Sequence, residues 1–140
     1  MDADAARARF AVTPVARLAT ASADARPHVV PIVFALAVDV VYTAVDGKPK
    51  TTTALRRLAN VEANPQVAVL VDHYQDDWTR LWWARADGNA RILATDEAEA
   101  ADALALLTER YPVYATQRPP GPVIAIDVTR WSGWAAAPDR

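Results

Sequence analysis

The residues best equipped for chemistry lie between Thr43 and Asn60. That stretch holds Lys48, Lys50, the run Thr51-Thr52-Thr53, Arg56 and Arg57, and it joins a strand pattern to a helix pattern. A helix N-terminus presents unpaired N–H groups and a partial positive charge, so it attracts anions. Two lysines and up to three hydroxyls beside it make a phosphate cradle. Arg56 or Arg57 adds a bidentate partner one turn further on, but two adjacent helical residues cannot both face one ligand. The competing reading is a solvated Lys-Pro-Lys turn, with the arginines paired to surface acids such as Glu62. Only four glycines occur in the chain, and none builds a Walker or Rossmann phosphate loop.

Elsewhere the sequence is sparing with acid–base groups. His28 opens a strand beside Pro27 and reads as a positioned hydrogen-bonding group rather than a base. Asp72, His73, Asp76 and Asp77 cluster after a strand, where they suit either a cation or a solvated loop. Ser22 and Ser132 have no histidine or acid in a triad pattern. Cysteine is absent, which removes disulfides and thiolate chemistry and fits a reducing cytoplasm. The formal net charge of −2 lacks the electrostatic signature of a nucleic-acid binder. No apolar stretch approaches the ~18 residues of a membrane span, and no signal-type h-region follows the acidic N-terminus.

These groups need a scaffold, and 140 residues suit a single domain spanning 1–140. Residues 2–10 read as a short helix ended by Pro14. Residues 15–22, 28–38 and 40–45 read as three strands with turns too short for parallel pairing. Pro31 cannot donate to a ladder, so it marks an edge, a bulge or an opening. Ala54, Leu55, Leu58 and Val61 fall at helical spacing before the Asn64-Pro65 stop, and residues 66–71 form a fourth strand. Asp87-Gly88 between residues 80–86 and 89–94 signals a hairpin. Asp96 with Glu99 resembles a capping box for a helix striped by Ala100, Ala103, Leu104 and Leu107. Residues 123–128 make a last strand. The expected fold is mainly β: a six- to seven-stranded antiparallel barrel of Greek-key type, with two to three helices in its connections. Residues 28–38 and 66–71 are apolar on both faces, so the surplus face needs cover from the helices or from a second copy, and a homodimer is expected.

Several blocks together resemble a known family. These are Ala16-Arg17-Leu18-Ala19-Thr20-Ala21 with Arg26-Pro27-His28-Val29-Val30-Pro31-Ile32, then Tyr42-Thr43-Ala44-Val45-Asp46 through Lys48-Pro49-Lys50, and residues 55–65. In that order they resemble the FMN-binding split β-barrel proteins, relatives of pyridoxamine 5′-phosphate oxidase. Residues 71–78 with Leu81-Trp82-Trp83 are similar to an actinobacterial branch described as deazaflavin-dependent oxidoreductases. The resemblance spans about residues 8–135.

It implies a dimer with the cofactor ring in a groove between subunits. The backbone of His28, Val30, Pro31 and Ile32 would pass the ring, and Thr43 would sit near the ribityl chain or phosphate. Lys50 and Arg57 match the family's phosphate-binding positions, with Lys48 and Arg56 as neighbours able to replace them. Trp78 and Trp82 would reach over the ring from the partner subunit. The implied activity is hydride transfer between the deazaflavin coenzyme F(420) and a small organic acceptor. FMN is the alternative cofactor, and a non-catalytic carrier is the alternative role. Such an enzyme needs no catalytic side-chain dyad, because the redox carbon belongs to the cofactor.

Overall fold

The computed structural model describes residues 1–45 and 52–137, apart from the side chains of 52–55. Lys48, Lys50 and Thr51, three of the residues expected in the phosphate cradle, lie outside the described residues. The elements run α1 (Ala3–Val12), β1 (Ala16–Ala21), β2 (Pro27–Ile32), β3 (Ala35–Ala37), β4 (Val40–Ala44), α2 (Thr52–Ala63), β5 (Gln66–His73), β6 (Trp82–Leu93), α3 (Ala98–Arg110) and β7 (Val123–Ala135). Short 3-10 turns occupy Trp78–Arg80 and Pro112–Ala115.

Every strand pairing is antiparallel, in the order β2-β1-β5-β6-β7-β4-β3. Residues from opposite ends of that order meet in one core. Val30 and Ile32 of β2, Val41 of β4 and Val69 of β5 belong to a single buried cluster. A flat sheet could not bring these strands together, so the sheet curls into a split barrel. α1 and α2 plug it with Phe10 and Val61. α3 lies outside, packing Ala100, Ala103, Leu104 and Leu107 against Ala35, Tyr42, Ala44 and Ala125. The expected mainly β fold of six to seven antiparallel strands with two to three helices is observed, with seven strands and three helices.

Three local readings need correction. The run 28–38 is two strands, broken at Val33 and Phe34. Phe34 turns fully inward against Phe10, with ring centroids 4.8 Å apart. The carbonyls at the break accept from side chains: Val33 from Thr43 Oγ1 at 2.9 Å and Phe34 from Arg110 Nη1 at 2.8 Å. Asp87-Gly88 is not a hairpin turn but the interior of the long strand β6. A type I′ turn needs positive φ at glycine, and Gly88 has none. The dipeptide instead faces a bulge, where the β6–β7 register shifts and a Cβ on Gly88 would stand 2.4 Å from the Asp127 carbonyl oxygen.

The expected Asp96–Glu99 capping box does not form either. Glu97 occupies the N-cap of α3 and takes the Ala94 N–H instead. Glu99 is drawn to a stronger partner, accepting from Arg91 at 2.7 and 2.9 Å and from the Tyr42 hydroxyl at 2.7 Å. Arg91 also holds Asp127, so β6, β7, β4 and α3 are tied at one point. The Arg91 and Tyr42 hydrogen bonds hold the Glu99 carboxyl down at about 2. Burial, then the Glu99 hydrogen bond, pushes the Tyr42 hydroxyl up to about 12.

Because the folded Glu99 pKa lies below its ordinary 4.5, its contribution is complete above that pH and is lost as pH falls toward 2. In urea unfolding at a series of pH values, Glu99→Gln should be less stable than the parent at pH 7, with the gap closing below pH 4.5. A gap independent of pH would contradict this account. Val38, in the β3–β4 turn, is a β-branched residue at φ 53° and is 76% exposed. Relief of that strain should outweigh the flexibility of glycine, so Val38→Gly should stabilise the protein by about 1 kcal/mol in urea unfolding.

Candidate functional site

Two cavities meet at β2, one on each of its sides. The strand lies at one end of the sheet order and, among the described residues, hydrogen-bonds only β1, with Pro31 opposite Arg17. An edge is one of the three places, with a bulge and an opening, that the sequence left to this proline. Strand alternation then divides its residues. Val30 and Ile32 turn inward and are buried, so only their backbone is available to a ligand outside. Val29 and Pro31 face outward and are exposed.

Outward, Val29 joins Arg17, Ala19, Leu70, Tyr74, Trp83 and Arg85 around an apolar groove of about 490 Å³. Alanine at 19 and 68 leaves the hollow, and Trp83, Leu70 and Tyr74 wall it. Its cations are already paired in place: Arg17 with Asp72 at 3.5 Å, and Arg85 with Asp87 at 3.2 Å. On the other side of the strand, His28 shares a polar cleft of about 300 Å³ with Arg26, Arg56 and Asn60. The Asn60 amide donates to the buried Thr20 hydroxyl at 3.0 Å, which anchors α2 to β1.

The expected site residues therefore separate. His28 and Arg56 come together. Arg57, one position on, is half-buried on α2 and does not line that cleft. Thr43 is 2% exposed and spends its hydroxyl on the Val33 carbonyl, so it reaches neither cavity. Trp78 stands exposed on its 3-10 turn. Trp82 turns inward toward α1, beneath the Arg9 guanidinium at 4.9 Å and beside His73. The acidic cluster has separate duties as well. Asp72 pairs with Arg17, while Asp77 caps the 3-10 turn and is held below the usual carboxylate range by its bonds from Thr79.

Sequence reasoning missed Val29, Tyr74 and Trp83 as groove residues and Asn60 as the anchor of the cleft. The adjacency of Trp82 and Trp83 carried a usable signal, since neighbours in a strand must face opposite ways. The groove has flat apolar walls suited to a planar ring, and the cleft has cations suited to an oxyanion.

The fold recurs in solved structures. A FAD-binding protein from Mesorhizobium loti matches with a TM-score of 0.72 at 22% identity, covering 95% of this chain and 94% of that one. A FAD-binding protein from Mycobacterium smegmatis matches with a TM-score of 0.66 at 18% identity, over 96% and 94%. The heme storage protein of Vibrio cholerae matches with a TM-score of 0.71 at 16% identity, over 96% and 95%. No curated protein matches the sequence. The family model described as pyridoxamine 5′-phosphate oxidase matches residues 3–135, and the chain belongs to that family.

Proposed function

We propose that the chain binds a flavin-class cofactor along the outer side of β2 and works as a hydride-transferring oxidoreductase, with a second copy closing the site. The observation that carries this is the apolar groove walled by Val29, Leu70, Tyr74 and Trp83 beside an open strand edge. Such a groove offers an isoalloxazine-type ring its apolar faces, while the unpaired backbone edge of β2 supplies polar contacts at the rim. When bound, the cofactor supplies the redox chemistry. The protein's part is to hold ring and acceptor in near contact and keep water away, and proximity alone is worth about 7–11 kcal/mol. The acceptor is a small conjugated molecule. The actinobacterial resemblance supports coenzyme F(420), and the relatives named as FAD-binding support a flavin nucleotide.

The groove also supports the homodimer. No described helix residue lines the groove on the outer face of β1, β2 and β5, and Val29 and Tyr74 are 61% and 62% exposed there. An apolar hollow rimmed by charge pairs already neutralised in place suits burial against another protein surface.

Titrating the purified protein with FMN, FAD and F(420), with fluorescence as the readout, tests the cofactor. Saturable quenching by at least one is expected, and none would end the proposal. Tight binding without turnover on a panel of enones and quinones would assign a carrier role instead. For the dimer, Val29→Arg should give a monomer in sedimentation velocity with an unchanged far-UV circular dichroism spectrum. Cofactor affinity should fall at the same time, and a parent protein that sediments as a monomer would refute the dimer.

A further inference from the structure

Arg7, Arg17, Arg85 and Arg91 are each held by a carboxylate. Arg26 and Arg56 take part in no ion pair among the described residues, and they line the cleft beside β2, where His28 Nδ1 is buried without a hydrogen-bond partner. Arg80 has no ion pair among the described residues either, but it stands at the opposite end of the barrel. There it joins Arg9, His73, Thr79, Leu81 and Trp82 around a pocket of about 350 Å³. The pocket lies on the α1 side of β6: Trp82 lines it, while Trp83, one residue on, walls the outer groove. Among the described residues no carboxylate lines it. Asp72 pairs with Arg17, and Asp77 accepts from the Thr79 N–H and hydroxyl at 3.1 and 2.6 Å. The walls are held by the fold itself. α1 brings Arg9 from its last turn, with the guanidinium 4.9 Å over the Trp82 ring. His73 stacks beside the same ring at 6.5 Å between centroids, and the Gln75 amide nitrogen is 2.5 Å from its Nε2. The 3-10 turn that carries Arg80 is capped by Asp77 and tied to the end of β7, where the Ala136 N–H donates to the Leu81 carbonyl at 2.9 Å.

We propose that this pocket is a second ligand site, which binds a small planar organic anion, a carboxylate or a phosphate ester, independently of the cofactor. Two guanidinium groups and an imidazole with no acid among them favour negative charge. A guanidinium stacked by its flat face on an indole is ordered before a ligand arrives, so less side-chain freedom is lost when its N–H edge meets an oxyanion. Arg80 is exposed on a turn whose backbone is already secured, so its charge serves recognition rather than folding. Trp82, the buried Leu81 and Ala135 give a small ring an apolar wall. The volume is near the lower end of ligand pockets, which begin at about 300 Å³, and so suits one ring with its acid group rather than a dinucleotide. The site stands whether or not the groove beyond Trp83 holds a flavin.

The test titrates the cofactor-free full chain with benzoate, phenyl phosphate and inorganic phosphate by isothermal titration calorimetry, with tryptophan fluorescence as a second readout. Saturable binding of benzoate or phenyl phosphate is expected, and the tighter of the two identifies the acid group. Inorganic phosphate should bind more weakly than that probe, since it makes no use of the apolar wall. Arg80→Ala should weaken the bound probe by about five- to tenfold, a modest figure because the side chain is exposed, and Arg80→Glu should abolish binding. Both variants should keep the parent's far-UV circular dichroism spectrum. Trp82→Phe leaves a ring beneath Arg9, so it should retain binding by calorimetry while losing the fluorescence change. Arg26→Ala, in the cleft beside β2, should alter the affinity by less than about twofold, since the probe makes no contact there. No saturable binding, undiminished binding in Arg80→Glu, or equal affinity for inorganic phosphate would overturn the proposal. A loss in Arg26→Ala matching that in Arg80→Ala would overturn it too, because the probe would then sit in the other cleft. So would a parallel loss of FMN affinity in Arg80→Ala, which would give the pocket to the cofactor; absence of any flavin binding bears only on the reading of the groove.

Discussion

The structure depends on how the chain leaves β2. A strand that ends inside a barrel exposes carbonyls to an apolar interior, and unpaired groups there are costly. Here the two carbonyls after β2 are taken by Thr43 and Arg110. Arg110 also donates to the Thr13 carbonyl and lies 4.6 Å over the Phe34 ring, while the Tyr111 hydroxyl donates to the Pro14 carbonyl. One arginine at the end of α3 thus ties the break to the segment leading into β1. With its successors anchored elsewhere, β2 needs no second neighbour and can remain an edge. The groove, the cleft and the open backbone between them all follow from that freedom.

Alternation along the strands then distributes function by single residue steps. Val29 meets the groove and His28 the cleft; Trp83 walls the groove and Trp82 packs toward α1. A one-residue slip would exchange every such pair and bury the wrong set. Register is therefore a functional constraint as well as a folding one. The bulge at Gly88 shows where it is enforced. β6 keeps unbroken pairing with β5 from His73↔Trp82 to Gln66↔Asn89, while the irregularity is passed to β7. The site side of β6 stays regular and the far side absorbs the extra residue.

Much of this was legible in the sequence because period and composition act locally. The strands read at 15–22, 40–45 and 66–71, the helix stripe of α3 and the restriction of Pro31 to an edge, a bulge or an opening all followed from alternation, spacing or the missing proline N–H. What was not legible depended on partners distant in sequence. Asp87-Gly88 carries the same local pattern whether the chain turns or continues, and only pairing to β5 and β7 decides. Asp96 and Glu99 carry the spacing of a capping box, but α3 begins one residue later, after Glu97, and Arg91 and Tyr42, brought near by the fold, hold Glu99. Thr43 looked free to serve a ligand because nothing local showed that Val33 would need its hydroxyl. Among the expected site residues His28 and Arg56 did converge, though they are 28 positions apart and belong to different elements.

The distribution of charge supports a division between holding and recognising. Where arginines brace the fold they are saturated: Arg91 binds two carboxylates, and Arg110 two carbonyls and an aromatic face. Such pairing suits a bracing role, because a network with every member satisfied rigidifies more than one half-paired. Around the outer groove the pairs Arg17–Asp72 and Arg85–Asp87 are also closed, which leaves an electrically quiet surface suited to an uncharged ring or an apolar partner. Arg26 and Arg56 depart from both patterns, sitting on a turn and a helix that are independently secured and so need no ion pair for stability. Cations kept without a structural duty, beside a buried imidazole nitrogen without a partner, are what a surface built to receive an anion requires.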